Sequence, residues 1–357
     1  MRIGIIGLPN SGKTTIFNAL TRSHTRTQAF SSGQIEVHTA AVNVPDSRLE
    51  RLAQIFPSRR IVHAQVVYND IAGLASRPDR PGTLRGPLLN AIAANDALML
   101  VARAFQDPHV PHPLGRVDPA RDLATMEAEL LLNDMATVEN RLERLATQKM
   151  RGTPLERQRM AQEEALLKRL WAALEEERPL REVTLTEEER KMLGGFGLLS
   201  LKPLLRVINA GDEDREEEFA ERMGPNTLFL RGRLEAEIAQ MDPAEAPEFL
   251  AEFGIPEPGL DRAIRRCYEL LGLITFFTVN EEEIRAWAVR REATAREAAG
   301  VIHSDMERGF IRAEVVHFDD LVALGSMAEA RRQGRLRLEG KEYRVQDGDI
   351  LTIRFNV

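Results

Sequence analysis

The feature that most constrains this chain is the stretch at residues 7–14, which matches the phosphate-binding P-loop pattern G-x-x-x-x-G-K-[ST]. An apolar run at 2–6 predicts a buried strand before it, and the apolar spacing at 15–21 predicts a helix after it. Glycines allow backbone N–H groups to face an anion, and a helix N-terminus adds partial positive charge. The pattern therefore predicts a nucleotide-phosphate site, with Lys13 at the β- and γ-phosphates and the Thr14 hydroxyl as a Mg²⁺ ligand.

Composition limits the classes of partner. With 357 residues, 43% hydrophobic and 29% charged, the chain fits a soluble globular protein of two or three domains. A net charge of −7 gives no overall basic field for sequence-specific DNA or for a membrane, and no apolar stretch approaches the ~18–20 residues of a membrane span. The single cysteine, Cys267, excludes an internal disulfide and fits a reducing cytoplasm. The N-terminal apolar run is too short for a secretory signal, so we expect a cytoplasmic protein.

The order of apolar runs predicts an α/β fold. Strands are predicted at 35–44, 61–68, 97–102, 203–208 and 227–230. Helices alternate with these strands, which is typical of a parallel sheet whose site lies at the carboxyl ends of the strands.

A long helical stretch interrupts that alternation. Residues 120–177 carry Leu, Met and Ala at helical spacing, and a break at 150–154 divides them into two helices of an antiparallel hairpin. Positions 141 to 160 contain six basic residues and only two acidic ones, Glu143 and Glu156. An ordinary solvated helix tip and a ribosome or nucleic-acid contact explain this excess equally well. The basic residues are Arg141, Arg144, Lys149, Arg151, Arg157 and Arg159.

A second short motif follows the P-loop. Asp70 and Gly73 form D-x-x-G at the predicted end of the strand at 61–68. A carboxylate there can hold the Mg²⁺ shell, and a glycine allows its N–H to approach the γ-phosphate. After a P-loop, this motif predicts a nucleotide-sensing switch.

From about residue 276 the pattern changes to a small mixed α/β domain. Residues 335–338 and 341–345 predict a β-hairpin, and 350–357 a final strand. His303 and His317 lie here without a second metal-type residue at ligand spacing, so we interpret both as structural or surface histidines.

Taken together, these motifs resemble the YchF family of P-loop NTPases, a branch of the Obg-related group in the translation-factor class. The likeness extends over nearly the whole chain. The stretches that carry it are 7–15, 70–74, 234–238, 285–287, 298–303, 309–314 and 354–357. The resemblance implies a Ras-like G domain at 1–119 and 198–274, an inserted helical hairpin at 120–197, and a C-terminal TGS domain of β-grasp, ubiquitin-like form at 275–357. It also implies hydrolysis of a purine nucleoside triphosphate, frequently ATP, and association with ribosomes.

The resemblance assigns site residues one by one. Those that match the phosphate-binding motif are Asn10, Ser11, Gly12, Lys13, Thr14 and Thr15. The switch-I threonine that ligates Mg²⁺ aligns with Gln34, whose amide oxygen is a longer, neutral ligand. Leu74 stands where Ras-type enzymes place a water-orienting glutamine, so the water must be positioned from elsewhere. His112 aligns with a family histidine proposed for that role; the alternative is a solvent-exposed loop histidine.

The base-reading residues leave the choice of purine open. Asn209 matches the family motif, and Asp212 stands in place of its glutamate. A carboxylate accepts from guanine N1–H and N2–H₂ but is repelled by the adenine N1 lone pair, so Asp212 favours guanine. Ala210 replaces the lysine typical of GTPases, and the Gly232 N–H remains available to read a base oxygen.

The sequence therefore supports two functions. One is a slow Mg²⁺-dependent GTPase or ATPase that acts as a nucleotide-controlled switch on the ribosome. The other is a regulatory module that binds nucleotide without hydrolysing it, which the Gln34 substitution and the altered base loop motivate.

Overall fold

The structure is a computed structural model. It describes residues 1–22, 37–57, 59–71, 84, 86–148, 153–214, 216, 226–242, 245–252, 255 and 257–356. The chain divides into two compact units: unit 1 holds residues 1–40 and 67–260, and unit 2 holds 41–66 and 261–357.

Strands and helices are numbered in chain order. The strands are β1 (Arg2–Ile6), β2 (Val37–Asn43), β3 (Arg60–Val62), β4 (Gln65–Ile71), β5 (Ala97–Arg103), β6 (Leu204–Asn209), β7 (Thr227–Leu230), β8 (Leu273–Val279), β9 (Glu283–Arg290), β10 (Phe310–His317), β11 (Arg337–Glu339) and β12 (Asp349–Phe355). The helices are α1 (Lys13–Thr21), α2 (Arg48–Ile55), α3 (Pro87–Ala93), α4 (Pro119–Gln148), α5 (Pro154–Glu175), α6 (Glu187–Leu193), α7 (Gly232–Gln240), α8 (Ala246–Glu252), α9 (Gly259–Leu270), α10 (Ala295–Ile302), α11 (Ser304–Arg308), α12 (Phe318–Leu324) and α13 (Met327–Arg332), with a 3₁₀ turn at Leu180–Glu182.

Unit 1 is built on a sheet whose described strands have the order β2-β4-β1-β5-β6-β7. The pairs β4-β1, β1-β5, β5-β6 and β6-β7 are all parallel. Strand β5 is buried along its entire length, as expected for a parallel strand covered on both faces. The predicted α/β fold with a P-loop on its first strand is confirmed.

The helical hairpin interrupts this sheet between β5 and β6. Helices α4 and α5 pack on their own apolar cluster, whose fully buried members include Val138, Leu167 and Leu170. The Thr153 side chain and Glu156 form a capping box that begins α5. Arg141 on α4 donates from Nε and Nη2 to the Glu163 carboxylate on α5, at 2.6 and 2.9 Å, so one of the six basic residues is used to join the two helices.

Two acidic side chains fix α4 to the rest of unit 1. The fully buried Asp134 accepts from the backbone N–H groups of Leu199 and Ser200, each at 2.7 Å, and from the Ser200 hydroxyl at 2.6 Å. Burial raises the pKa of Asp134, and these hydrogen bonds act in the opposite direction. Glu127 accepts from Arg206 Nε at 2.6 Å and from Arg181 Nη2. Strand β6 begins at Leu204, so these contacts fix the segment that connects the hairpin to the sheet.

Unit 2 is a mixed sheet in the order β11-β10-β12-β8-β9-β3 over its described strands. Strand β12 runs antiparallel to β10 and parallel to β8, while β8 and β9 form an antiparallel pair. The core of this unit lies between the sheet and α10, with Phe276, Ala298 and Val315 fully buried. The C-terminal β-sheet domain is thereby confirmed; its TGS name stays an expectation from the family.

Two local predictions are wrong. The hairpin expected at 335–345 does not form, because β11 pairs antiparallel with β10, while Tyr343 O accepts from Ala295 N and Val345 N donates to Ala293 O. The single strand expected at 61–68 divides into β3 and β4, which belong to different sheets.

The structure also assigns the early segment 41–66 to unit 2, where β3 pairs parallel with β9. The G domain predicted at 1–119 includes this segment, because nothing local to it indicates a partner more than two hundred residues away. The boundaries at 119, 198 and 275 stay predictions.

A separate finding concerns membrane spans: within the described ranges, no helix combines the length and apolar character that crossing a bilayer requires.

We expect Asp134→Ala to destabilise unit 1 by about 2–5 kcal/mol, because three buried donors lose their acceptor. Urea denaturation and amide exchange at Leu199 and Ser200 measure the effect. The matched control is Glu139→Ala, which removes an exposed carboxylate from the same helix and should change stability by less than about 0.5 kcal/mol. Equal denaturation midpoints for the two variants would contradict the role given to Asp134.

Candidate functional site

Parallel register brings the predicted site residues to one edge of the sheet. Ile5 on β1 is level with Asp70 on β4, and Arg103 on β5 is level with Asn209 on β6. The P-loop follows β1 directly at the same edge. The carboxyl ends of four strands therefore contribute to a single site, as the α/β pattern predicts.

The P-loop glycines are required by close approaches. Gly12 has a φ of +89°, and a Cβ there would lie 2.0 Å from Asn209 Nδ2. A Cβ at Gly7 would lie 2.2 Å from the Val101 carbonyl oxygen. Both positions therefore exclude larger residues, independently of any ligand.

Lys13 lies buried over its own loop. Its Nζ donates to the carbonyl oxygens of Gly7 and Leu8, at 3.1 and 2.9 Å. Burial lowers the pKa of Lys13 to about 8, and the charge of Asp70 acts against that shift. The ammonium group thus lies where the loop turns, bound to carbonyl oxygens.

Thr14 and Asp70 form the second contact of the site. The Thr14 hydroxyl donates to Asp70 Oδ2 at 2.7 Å, and Asp70 is fully buried. Within the residues that the structure describes, Asp70 Oδ1 has no hydrogen-bond partner. A hydroxyl and a buried carboxylate with an unused oxygen are the hard oxygen donors that suit Mg²⁺, so the residues present fit the ion.

Asn209 joins the P-loop to the base loop. Its Nδ2 donates to the Ser11 carbonyl oxygen and its Oδ1 accepts from the Gly232 N–H, each at 3.0 Å. One hydrogen on Nδ2 remains for a base. The Gly232 N–H, which the sequence analysis left available for a base oxygen, is used by Asn209 in this structure.

The rest of the base loop is more open. Ala210 is buried, and Asp212 is exposed at the end of the loop. Asp214 closes the loop by accepting from the Gly211 N–H at 2.7 Å. The Asp212 carboxylate therefore extends toward solvent, with no hydrogen bond that the described part of the chain shows.

His112 is not an exposed loop histidine, so that alternative is wrong. Its side chain is 4% exposed, and its Nε2 lies 2.8 Å from Asp122 Oδ2. The Leu114 N–H donates to Nδ1 at 3.1 Å, which places the ring proton on Nε2. Asp122 belongs to the first turn of α4, so helix formation provides the carboxylate that holds the ring.

Phe105 and Arg103 belong to the site but to none of the motifs in the sequence. A Cβ at Gly12 and a Cβ at Gly211 would each lie 3.8 Å from Phe105 atoms, so this side chain lies between the P-loop and the base loop. The signal was available: Ala210 lacks the lysine stem that GTPases place over the base loop, and an arginine ends the apolar run of β5.

The remaining predicted residues are only partly visible. Asn10 has a φ of +62° and donates from Nδ2 to the Pro111 carbonyl oxygen at 2.9 Å. Ser11 is buried, and Thr15 is half-buried in the first turn of α1. Gln34, Gly73 and Leu74 lie outside the described residues.

Two family profiles match this chain. Residues 2–141 match MMR_HSR1, described as a 50S ribosome-binding GTPase. Residues 273–356 match YchF-GTPase_C, described as a protein of unknown function.

Curated relatives match over the full length. The "Ribosome-binding ATPase YchF" of Bacillus subtilis is 40% identical, over 99% of this chain and 99% of its own length. The protein of the same name from Escherichia coli O157:H7 is 36% identical, over 100% and 99%. The "Obg-like ATPase 1" of Oryza sativa subsp. japonica is 35% identical, over 100% and 92%.

A solved structure agrees with these matches. The YchF GTPase of Schizosaccharomyces pombe superposes with a TM-score of 0.85 at 30% identity, over 99% of this chain and 97% of that one. Profiles, relatives and fold agree across both units, and the chain belongs to the YchF family of P-loop nucleoside triphosphatases.

Proposed function

We propose that this protein binds a purine nucleoside triphosphate together with Mg²⁺, hydrolyses it slowly, and thereby acts as a nucleotide-controlled switch on the ribosome. The observation that carries the proposal is the P-loop at the N-terminus of α1, with Lys13 and the Thr14–Asp70 pair at the same strand edge. Relatives that match the whole chain are named ribosome-binding ATPases. Ribosome binding makes the cytoplasm its place of action.

Charge neutralisation is the main chemical task of this site. Lys13 would exchange the Gly7 and Leu8 carbonyls for phosphate oxygens, and the backbone N–H groups of the loop would bind the remaining charge. Thr14 and Asp70 would hold Mg²⁺, which supplies neutralisation of the phosphate charge when bound. On the base side, Asn209 keeps one Nδ2 hydrogen and Phe105 offers an apolar wall in place of the absent lysine stem.

The hydrogen bonds of His112 support the proposal of slow turnover. To accept a proton from water, a histidine needs a free ring nitrogen, and the basic Nδ1 is used by the Leu114 N–H. The contact between the Leu114 N–H and Nδ1 has to open before His112 can act as the water-positioning residue. The same contacts favour the second candidate function, nucleotide binding without hydrolysis. Phosphate release by the unmutated protein, with Lys13→Ala as the negative control, separates the two.

The hairpin is the proposed ribosome-docking element. Arg141 is used within the hairpin, while Arg144, Arg157 and Arg159 are exposed near its tip on a protein of net charge −7. A local basic group on an acidic protein is suited to contact with ribosomal RNA phosphates. Arg151 and Lys149 lie outside the described residues.

Nucleotide binding should depend on pH. Because the pKa of Lys13 is lowered to about 8, the nucleotide-free protein loses the charge of Lys13 as pH rises above 8. A bound triphosphate would keep Lys13 protonated. Nucleotide affinity, measured by calorimetry, should therefore fall by up to about tenfold for each pH unit above that value. Lys13→Ala should bind about ten- to a hundredfold more weakly at pH 7 and show no such dependence. An affinity that stays flat to pH 9.5 in the unmutated protein would contradict this role.

The role of Asp212 in base recognition can be tested in the same way. If Asp212 faces the purine edge, GTP binds at least as tightly as ATP, and Asp212→Asn weakens GTP by about ten- to a hundredfold while sparing ATP. The neighbouring exposed carboxylate provides the matched control, Glu213→Gln, which should change neither affinity. A strong ATP preference that Asp212→Asn leaves unchanged would show that this carboxylate does not read the base.

The docking role of the hairpin can be tested by charge reversal. Reversing the charge at Arg144, Arg157 and Arg159 to Glu should weaken co-sedimentation with ribosomes and leave nucleotide affinity unchanged. The control makes the same three-residue reversal at other exposed positions of unit 1. Its residues are Lys168, Arg190 and Lys191. Equal losses from both triple variants would mean that overall charge, and not the hairpin tip, governs the association.

A further inference from the structure

Arg103 is a buried cation whose hydrogen bonds go to backbone carbonyls. It ends β5 and is 2% exposed. Its Nε donates to the Phe105 carbonyl oxygen at 3.0 Å, Nη1 to that of Val110 at 2.8 Å, and Nη2 to that of Asp107 at 3.3 Å. Burial lowers the pKa of this guanidinium, and the nearby charges of Asp107 and Asp122 act against that shift. A planar fork with several donors is suited to fixing three carbonyls at once.

One end of this clamp reaches the base side of the nucleotide site. The guanidinium carbon of Arg103 lies 4.3 Å from the centre of the Phe105 ring, within the range of a cation–π contact. The Phe105 ring edge lies next to Gly12 and its Cβ next to Gly211, and the Phe105 N–H donates to the Asn209 carbonyl oxygen at 3.3 Å. Arg103 therefore contacts Phe105 twice, through the face of its ring and through its carbonyl oxygen.

The other end of the clamp reaches the loop that carries His112. The Val110 carbonyl, held by Nη1, immediately precedes Pro111, whose own carbonyl accepts from Asn10 of the P-loop at 2.9 Å. His112 is the next residue, bound to Asp122 at 2.8 Å. Two residues of backbone therefore connect the carbonyl held by the Arg103 guanidinium to the His112 imidazole. The hydrogen bond from Asn10 binds this backbone to the P-loop at Pro111.

We propose that Arg103 is a positioning residue for triphosphate hydrolysis. Its guanidinium holds Phe105 beside the base. The same guanidinium holds the backbone that precedes His112 beside the phosphates. This inference rests on the proposed function. It assigns the two ends to different steps: the Phe105 end to nucleotide binding, and the Val110 end to the approach of His112 during turnover. Because misplacement of a reacting group by about 1 Å lowers rates up to a hundredfold, the second end should affect kcat.

The test measures nucleotide Kd and kcat for Arg103→Lys, Arg103→Met and Phe105→Leu in the full-length protein. Arg103→Lys keeps the charge but not the planar fork. Both Arg103 variants should raise Kd and lower kcat, each by about tenfold or more. Phe105→Leu should raise Kd to a similar extent and leave kcat within about threefold, because the Val110 contact persists. In a double-mutant cycle, His112→Ala should lower kcat much less in the Arg103→Lys protein than in the unmutated one.

A matched control tests for a merely structural role. Lys202 is a second partly buried cation of unit 1 that binds carbonyls, donating from Nζ to Ala93 O at 2.9 Å and to Asn95 O. Lys202→Met should lower the melting temperature and leave kcat and Kd within about threefold. Arg103 variants with kcat and Kd both near the unmutated values would overturn the proposal, as would additive effects in the cycle.

Phe105→Leu decides the matter even where the Arg103 variants do not fold. A fall in kcat as large as its rise in Kd, or an unchanged Kd, contradicts the separation of the two ends. Failure of the proposed function itself gives a different result, since the unmutated protein would then neither bind nor hydrolyse nucleotide.

Discussion

The geometry of the site depends on the side-chain amide of Asn209. It is buried at the end of β6 and bonds simultaneously to the Ser11 carbonyl in the P-loop and to the Gly232 N–H at the start of α7. A Cβ at Gly232 would lie 2.5 Å from Asn209 Oδ1, as a Cβ at Gly12 would clash with Nδ2. Both loops thus lack a side chain where they meet this amide. The distance between the phosphate side and the base side is fixed before any ligand arrives, which reduces the ordering that nucleotide binding has to impose.

Three polar groups of the site are hydrogen-bonded within their own chain. Lys13 binds two carbonyls of its loop, Thr14 binds Asp70, and His112 uses both ring nitrogens. At Lys13 and Thr14, a nucleotide with its Mg²⁺ would therefore exchange existing hydrogen bonds for new contacts. Net affinity is then the difference between two sets of similar interactions, which makes it sensitive to single donors such as Lys13.

Sequence reasoning succeeded where the chemistry is local. The P-loop follows an apolar strand, and Asp70 and Asn209 lie at the ends of two others. A motif and its structural context are therefore read from the same ten residues, and the parallel sheet then brings the motifs together. It failed where a residue depends on distant partners. The sequence left the exposure of His112 open, and the contact with Asp122 on the next helix decides it. The predicted hairpin is wrong because β11 pairs with β10 instead of the adjacent segment. Alternation of apolar residues specifies a strand and its faces but not its partner.

The pairing of β3 with β9 affects how the protein folds during translation. During translation, residues 41–66 are synthesised about 200 residues before the strands with which they form unit 2. At ordinary rates of translation, synthesis of the intervening residues takes roughly 10–40 s, and β3 has no partner strand during that time. During that interval, the exposed edge of β3 and the apolar face of α2, with Leu49 and Leu52, are open to chaperones and to aggregation. A C-terminal fragment starting at residue 261 would likewise lack one edge strand, so unit 2 is complete only in the finished chain.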